Sequence, residues 1–261
     1  MQNDSKLISL PYGNIRMFTY GKFHWEKVFP KHEYPDNDLE WDRKTKELVS
    51  YFTNLPVDHI FNLKQVHGKE IFQIKDKAFY PLSEQNSKTD LRMYDAITHS
   101  TPLEGDGLYA KEKHIALVIR TADCVPVFLY SEKRPLIAVL HSGWKGTVLG
   151  ITSTFIAKLL SEGITEEELH VFFGPSIAKE HYMVQDDVAT HFKNFSEDVL
   201  QKEIGLGYFL GVKDAIVSRL KKEYPLIKID SHSEDVFQSK EYFSHRSKDK
   251  GRNMNVILLE S

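Results

Sequence analysis

The chain has 261 residues, with 34 lysines and arginines against 37 aspartates and glutamates, for a formal net charge of −3. The charges are mixed along the sequence, which argues against a nucleic-acid or membrane-surface binder, since either would carry a basic patch. Hydrophobic residues at 41% suffice for a proper core, and no apolar run approaches the roughly 20 residues of a membrane span.

The first ten residues include Asp4 and Lys6 and lack the apolar stretch of a signal peptide. Residues 7–10 and 15–19 read as short strands around Pro11-Tyr12-Gly13-Asn14. Residues 21–37 show no clear period and read as a loop. Residues 38–52 suggest a helix with Leu39, Leu48, Val49 and Phe52 on one face. Two strands, 59–66 and 69–75, are expected to meet at His67-Gly68, with a polar loop over 76–89. Residues 114–120, 125–130 and 135–140 are short, apolar and rich in β-branched residues, the pattern of buried strands. Residues 147–161 predict one helix, stopped at Gly163. A strand over 169–173, helices over 186–195 and 212–224, and a final strand over 254–259 complete the pattern. There is no regular βαβ period and no glycine-rich phosphate loop, so mixed sheets rather than a Rossmann fold are expected.

The only cysteine is Cys124, in Arg120-Thr121-Ala122-Asp123-Cys124-Val125-Pro126, so no intramolecular disulfide forms. A free thiol points to a reducing, cytoplasmic setting. Cys124, His67 and His141 each fall at the end of an expected strand, where a rigid sheet can present side chains to a cleft. One thiolate and two imidazoles suit Zn²⁺ with an open fourth position, and copper as an alternative. Asp106 and Asp123 are candidate orienters of zinc-bound histidine or proton acceptors. Arg120, Lys145, Arg246 and Arg252 are candidate anchors for phosphate or carboxylate. Trp144 or Tyr182 could stack on an aromatic ring. Each has an ordinary alternative: a buried thiol, a turn-capping aspartate, a surface charge, a core aromatic.

The segments Gln65-Val66-His67-Gly68, Gly105-Asp106-Gly107, Thr121-Ala122-Asp123-Cys124-Val125-Pro126, His141-Ser142-Gly143-Trp144-Lys145-Gly146, Gly174-Pro175-Ser176-Ile177, Phe243-Ser244-His245-Arg246 and Gly251-Arg252 occur in this order. Together they resemble the YfiH family, also called the DUF152 or laccase-domain family, with its FAMIN-like purine nucleoside phosphorylases. The resemblance implies one α/β (α+β) domain over residues 1–261, with mixed sheets packed between helices as α/β/β/α. It implies His67, Cys124 and His141 as zinc ligands, with Cys124, Asp123 and Asp106 as catalytic candidates. Lys64, Gln65, Lys145, His245, Arg246 and Arg252 become candidate substrate contacts. The implied chemistry is phosphorolysis of adenosine, inosine, guanosine and methylthioadenosine, and adenosine deamination. The partners would be purine nucleosides and phosphate, with no nucleic acid and no membrane.

Two segments depart from the family pattern. Phe18-Thr19-Tyr20-Gly21-Lys22 stands where members carry a Thr-Thr-Arg-x-Gly-Gly-like segment, so the usual arginine is missing at Tyr20. His232-Ser233 stands in place of a Cys-Thr pair. Three other functions fit the residues. The family's older laccase label suggests a copper polyphenol oxidase. Cys124, His141 and an aspartate could form a metal-free hydrolase triad. A decayed pocket would leave a non-enzymatic binding protein.

Overall fold

The computed structural model describes residues 6–10, 13–30, 34–84, 94–95, 102–196 and 198–260. In chain order the elements begin β1 (Lys6–Leu10), β2 (Gly13–Tyr20), α1 (Lys22–Val28), α2 (Asp38–Thr53), β3 (Ile60–Phe61), β4 (Ile71–Lys75), β5 (Ala78–Pro81) and β6 (Tyr94–Asp95). The middle contains β7 (Gly107–Ala110), β8 (Ile115–Thr121), β9 (Val125–Ser131), β10 (Ile137–Ser142), α3 (Trp144–Leu149), α4 (Ile151–Ser161) and β11 (Leu169–Phe173). The last third adds β12 (Met183–Val184), α5 (Asp186–Ala189), β13 (Leu200–Glu203), β14 (Gly207–Leu210), α6 (Val212–Glu223), β15 (Lys228–Ser231) and β16 (Asn253–Leu259).

One sheet runs β1-β2-β16-β8-β3, a second runs β15-β11-β9-β10-β7-β4-β5-β6, and a small third is β12-β14-β13. Pairing is parallel at β3/β8, β4/β7 and β11/β15 and antiparallel elsewhere. This mixed pattern is what the missing βαβ period predicted.

Alternation of side chains along the strands sets the layers. In β8, Ile115, Leu117 and Ile119 face the second sheet, while Ala116 and Val118 pack under α1 and α2. In β10, Ile137 and Val139 join the same inter-sheet core, while Ala138 and Leu140 turn toward α4 and α6. Both faces of these strands are therefore covered, which explains their nearly unbroken apolar sequences. The result is helices, sheet, sheet, helices. Each fully buried leucine, isoleucine or phenylalanine in these layers contributes about 1.5–3 kcal/mol.

Several expectations change. Residues 21–37 are not all loop: α1 forms because Trp25 is fully buried against the rings of Phe29, Tyr34 and Trp41. Tertiary packing stabilises a helix too short to stand alone. In α2, Leu39 is 57% exposed, and Trp41 takes its place against the core. The strand expected over 59–66 shrinks to Ile60–Phe61 after a 3-10 turn at Val57–His59. The polar 76–89 segment contains β5, joined to β4 through Asp76 and Lys77, both at positive φ. That is the backbone of a two-residue hairpin turn, here without the usual Asn-Gly. Residues 85–89 of that segment, and Pro11 and Tyr12 of the first turn, lie outside the described residues.

The helix expected over 147–161 is two helices, split at Gly150 with φ +74°. Arg219 donates from Nη1 to the Thr147 carbonyl at 2.7 Å, tying this break to α6. The 186–195 helix is only one turn of α-helix and then a 3-10 turn. No helix among the described residues is long and apolar enough to cross a membrane.

Candidate metal centre

Cys124 lies in the tight link between β8 and β9, right after Asp123, whose φ is +89°. His141 is the penultimate residue of β10, paired with Pro126 of β9, while Ser142 pairs with Val125. The β9–β10 register therefore sets Cys124 beside the end of β10. His67 comes from the connection between β3 and β4 and also has positive φ, +59°.

Asp106, fully buried just before β7, fixes that connection. Its carboxylate accepts from the backbone N–H of His67 at 3.0 Å and of Gly68 at 2.6 Å. It also accepts from His141 Nδ1 at 2.8 Å, which leaves Nε2 as the free nitrogen of that ring. The rings of His67 and His141 cross at 77° with centroids 4.8 Å apart. One donor atom from each of His67, Cys124 and His141 lies within 4.8 Å of the others, so the three could hold one metal ion. Gly143 closes the site from one side, where a Cβ would stand 2.9 Å from Cys124 Sγ and 3.1 Å from His67 Cδ2.

Charge follows the geometry. Burial pushes the Cys124 thiol up, but His141 and His67 more than offset this, lowering its pKa to about 6. Burial pushes His141 down, yet Cys124 and Asp106 raise it to about 9. Burial opposes ionisation of Asp106 as well, and its bond to His141 still holds it below the usual carboxylate range. Without metal the group is a thiolate–imidazolium pair backed by a carboxylate. Thiolate and imidazole are donors that zinc and copper both accept.

The three side chains line a cavity of about 540 Å³. Of the expected substrate contacts, Gln65, His245, Arg246 and Arg252 line it too, as does Asp123. Lys64 lies outside it, ion-paired to Asp38 and Glu104 at 3.3 and 3.0 Å. Lys145 is exposed over the Trp144 ring, and Asp106 sits behind the histidines rather than on the wall. The Asp123 carboxylate accepts from Ser244 Oγ at 2.6 Å and from the Arg246 N–H at 2.8 Å, docking the C-terminal loop on the cavity. Gln65 braces the wall with a reciprocal pair of bonds to the Arg120 backbone, at 2.5 and 2.8 Å. Trp144 and Tyr182 both border the space, with Arg246 stacked 5.1 Å from the Tyr182 ring centre.

Sequence reasoning missed Asp38, Trp41 and Val212 on the wall, and held Ile177 only as part of a family segment. Asp38 and Trp41 are three apart on α2, so they share a helix face, and a tryptophan in a mostly polar helix was the available signal. Tyr20, which the resemblance sets in the place of an arginine, is buried beside Phe18, His24 and Phe52. It shares a transverse row with Arg120, since both pair with Met254.

The family model described as multi-copper polyphenol oxidoreductase laccase matches residues 33–260. A purine nucleoside phosphorylase of Rickettsia conorii is 27% identical over 207 residues, 77% of this chain and 74% of that protein. One from Deinococcus radiodurans is 30% identical over 148 residues, 56% of this chain, which spans only about half (49%) of that relative. An adenosine deaminase from an unknown prokaryotic organism is 34% identical over 103 residues, 39% of each chain. Among solved structures, Bacillus licheniformis YfiH superposes with a TM-score of 0.74 at 23% identity, over 99% of this chain and 97% of that one. A Neisseria meningitidis protein of the DUF152 family gives 0.70 at 20% identity, over 99% and 100%. With the family model spanning most of the chain and the same fold in these neighbours, the chain belongs to the YfiH, or DUF152, laccase-domain family.

Proposed function

We propose that this protein is a zinc-dependent purine nucleoside enzyme, phosphorolysing adenosine, inosine, guanosine and methylthioadenosine and deaminating adenosine. The observation that carries this reading is the convergence of His67, Cys124 and His141 on one cavity. It is supported by relatives named as purine nucleoside phosphorylases and as an adenosine deaminase. The donor set fits zinc: three deprotonatable ligands, one ring turned by a buried carboxylate, and one side left open to the cavity. When bound, zinc supplies Lewis acidity and an activated water.

The protein's own residues do the rest. Asp106 is a positioning residue that keeps His141 Nε2 toward Cys124. Trp144 or Tyr182 stacks on the purine, and Gln65 and His245 offer polar contacts beside it. In phosphorolysis, an oxygen of hydrogen phosphate bonds to the anomeric carbon as the glycosidic C–N bond breaks, and the base nitrogen takes up the proton that the phosphate gives up. Arg246 and Arg252 stabilise the phosphate. In deamination, water adds to the carbon bearing the amino group and ammonia leaves. Asp123, on the cavity wall, carries the proton from water to the departing nitrogen. Lys64 and Lys145 have no part in this scheme.

The aligned Cys124, His141 and Asp106 also favour a second reading, a cysteine hydrolase without metal. Metal content by mass spectrometry on wild type and Cys124→Ala, both purified without metal-affinity steps, separates the readings. Inosine-plus-phosphate and adenosine assays follow. One zinc per wild-type chain, lost with turnover in the variant, is the expected result. Copper in place of zinc, with phenol oxidation, would replace the proposal by the laccase reading. Full activity under chelation, abolished by thiol alkylation, would replace it by the hydrolase.

A further inference from the structure

Arg120 is the penultimate residue of β8, opposite Met254 of β16, and Thr121 is opposite Asn253. Arg252 extends that antiparallel register by one residue, toward Ala122. The two arginines are thus diagonal neighbours whose side chains leave the same face of the sheet. It is the face on which Met254 packs with Trp25 and Leu48, beneath α2. Both arginines line the metal-site cavity.

Among the described residues, neither has a carboxylate within ion-pair distance. Arg120 Nη2 donates to the Leu63 carbonyl at 3.1 Å, Nη1 reaches Asn62 Oδ1 at 3.4 Å, and the guanidinium lies 5.7 Å from the Trp41 ring centre. Arg252 Nη1 donates to the carbonyls of Gly251 and Lys250 at 2.8 and 3.2 Å. Asp38 shares the cavity but is paired with Lys64 at 3.3 Å. The Asp123 oxygens already accept from Ser244 and Arg246.

Burial lowers the pKa of Arg120 to about 10, with Asp42 and Asp38 opposing and Arg252 adding to the drop. Burial lowers Arg252 as well, with the nearby Asp123 and Cys124 opposing the drop. Two partly dehydrated like charges in one cavity cost free energy until an anion neutralises them. Guanidinium forks match the oxygens of a phosphate in pairs.

We propose that Arg120 and Arg252 form a two-guanidinium clamp for a phosphate dianion, and that Arg120 sets the affinity for it. The clamp rests on the purine phosphorylase reading only for its occupant's role as co-substrate. The phosphate comes either as inorganic phosphate or as the phosphate of a purine nucleotide, and the chemistry of the clamp is the same for both.

Calorimetric titration of inorganic phosphate and of inosine monophosphate into the zinc-loaded wild type, Arg120→Gln and Arg120→Lys tests this. Zinc content and melting temperature serve as controls for folding. The clamp predicts that Arg120→Gln weakens phosphate binding about thirtyfold, as for loss of charge-assisted hydrogen bonds, and that lysine restores part of it. In inosine phosphorolysis the phosphate KM rises by a similar factor, and more than the inosine KM. A purely structural Arg120 would lower the melting temperature and leave phosphate affinity in the folded fraction intact, overturning the clamp.

Arg120-dependent binding of inorganic phosphate assigns the clamp to a co-substrate, and Arg120-dependent binding of the monophosphate alone assigns it to the substrate. Both support it, and equal binding by wild type and variant in both arms overturns it. Phosphate binding that needs Arg120, without turnover of any nucleoside, keeps the clamp and removes the purine reading. Turnover with an unaltered phosphate KM does the reverse. Should Arg120→Gln not fold, Arg252→Gln carries the same comparison, and unchanged phosphate affinity there overturns the clamp.

Discussion

Two histidine–carboxylate pairs sit toward opposite ends of β9, their histidines paired with Pro126 and Tyr130 and so roughly 13 Å apart along the strand by strand rise. At one end, Asp106 bonds His141, which faces Cys124. At the other, Asp230 accepts from His170 Nε2 at 3.0 Å, and His170 Nδ1 accepts from Tyr130 at 2.7 Å. Both are an acidic X–H group, an imidazole and a carboxylate on one strand scaffold. The ring is turned end for end between them, held through Nδ1 at the first site and through Nε2 at the second. At the first, Asp106 is 0% exposed and a second histidine and a cavity converge on the thiolate. At the second, the Asp230 side chain is 55% exposed, and Glu132 and Lys228 complete a solvated charge network at the sheet edge. What separates a site from a surface network is burial and convergence, not residue types.

Substitutions at the two ends should therefore differ in scale. Cys124→Ser is expected to abolish metal retention and lower turnover at least about a hundredfold, since it removes a ligand outright. Tyr130→Phe should stay within about twofold of wild type. Metal analysis and kinetics on the pair check this, and equal losses would erase the distinction.

Asp106→Asn should keep the fold but weaken metal affinity about 10–100-fold, the usual scale for losing the carboxylate behind a ligating histidine. Asp106→Ala should also destabilise by about 1–3 kcal/mol for each amide of His67 and Gly68 left unpaired. Chelator competition and denaturant melts read the two effects separately. Gly143→Ala should weaken metal binding without touching a ligand, because its Cβ would crowd Cys124 Sγ. Unaltered affinity there would mean the loop yields freely.

The acid–base signature sharpens the contrast. His141 is raised in the fold, so its contribution to stability is complete below its unfolded pKa and is lost as pH rises through about 9. Cys124 is lowered, so its contribution is complete above its unfolded pKa and is lost as pH falls through about 6. Chelator-treated protein should melt highest between those limits, and Cys124→Ser should flatten the maximum. Metal binding in that window displaces the His141 proton, so affinity should rise about tenfold per pH unit. Proton release measured in two buffers by calorimetry checks the count. The smallest effect belongs to the other end: Lys228→Ala should cost less than about 1 kcal/mol, as loss of an exposed ion pair does.

The buried strands were legible because their faces are both covered, so the apolar runs at 114–120, 125–130 and 135–140 fall on the observed strands 115–121, 125–131 and 137–142. The helix α2 was legible from its period, with Asn37 capping Glu40 N–H. The hairpin at Asp76-Lys77, the helix α1 and the break at Gly150 were not. The first lacks turn residues, the second depends on an aromatic cluster drawn from residues 25 to 41, and the third depends on a remote arginine. Among site residues, Cys124, His67 and His141 stood out by type, uniqueness and motif.

Local sequence thus determined which apolar segments form the central strands and which residue types carry the chemistry, because side-chain period and donor identity are properties of near neighbours. Tertiary structure alone decided that residues 67, 124 and 141 share one point, that Asp106 stands behind them, and that Arg120 and Trp41 join the cavity wall. The three donor residues lie 17 to 74 positions apart in the sequence, and only strand register and layer packing bring them together.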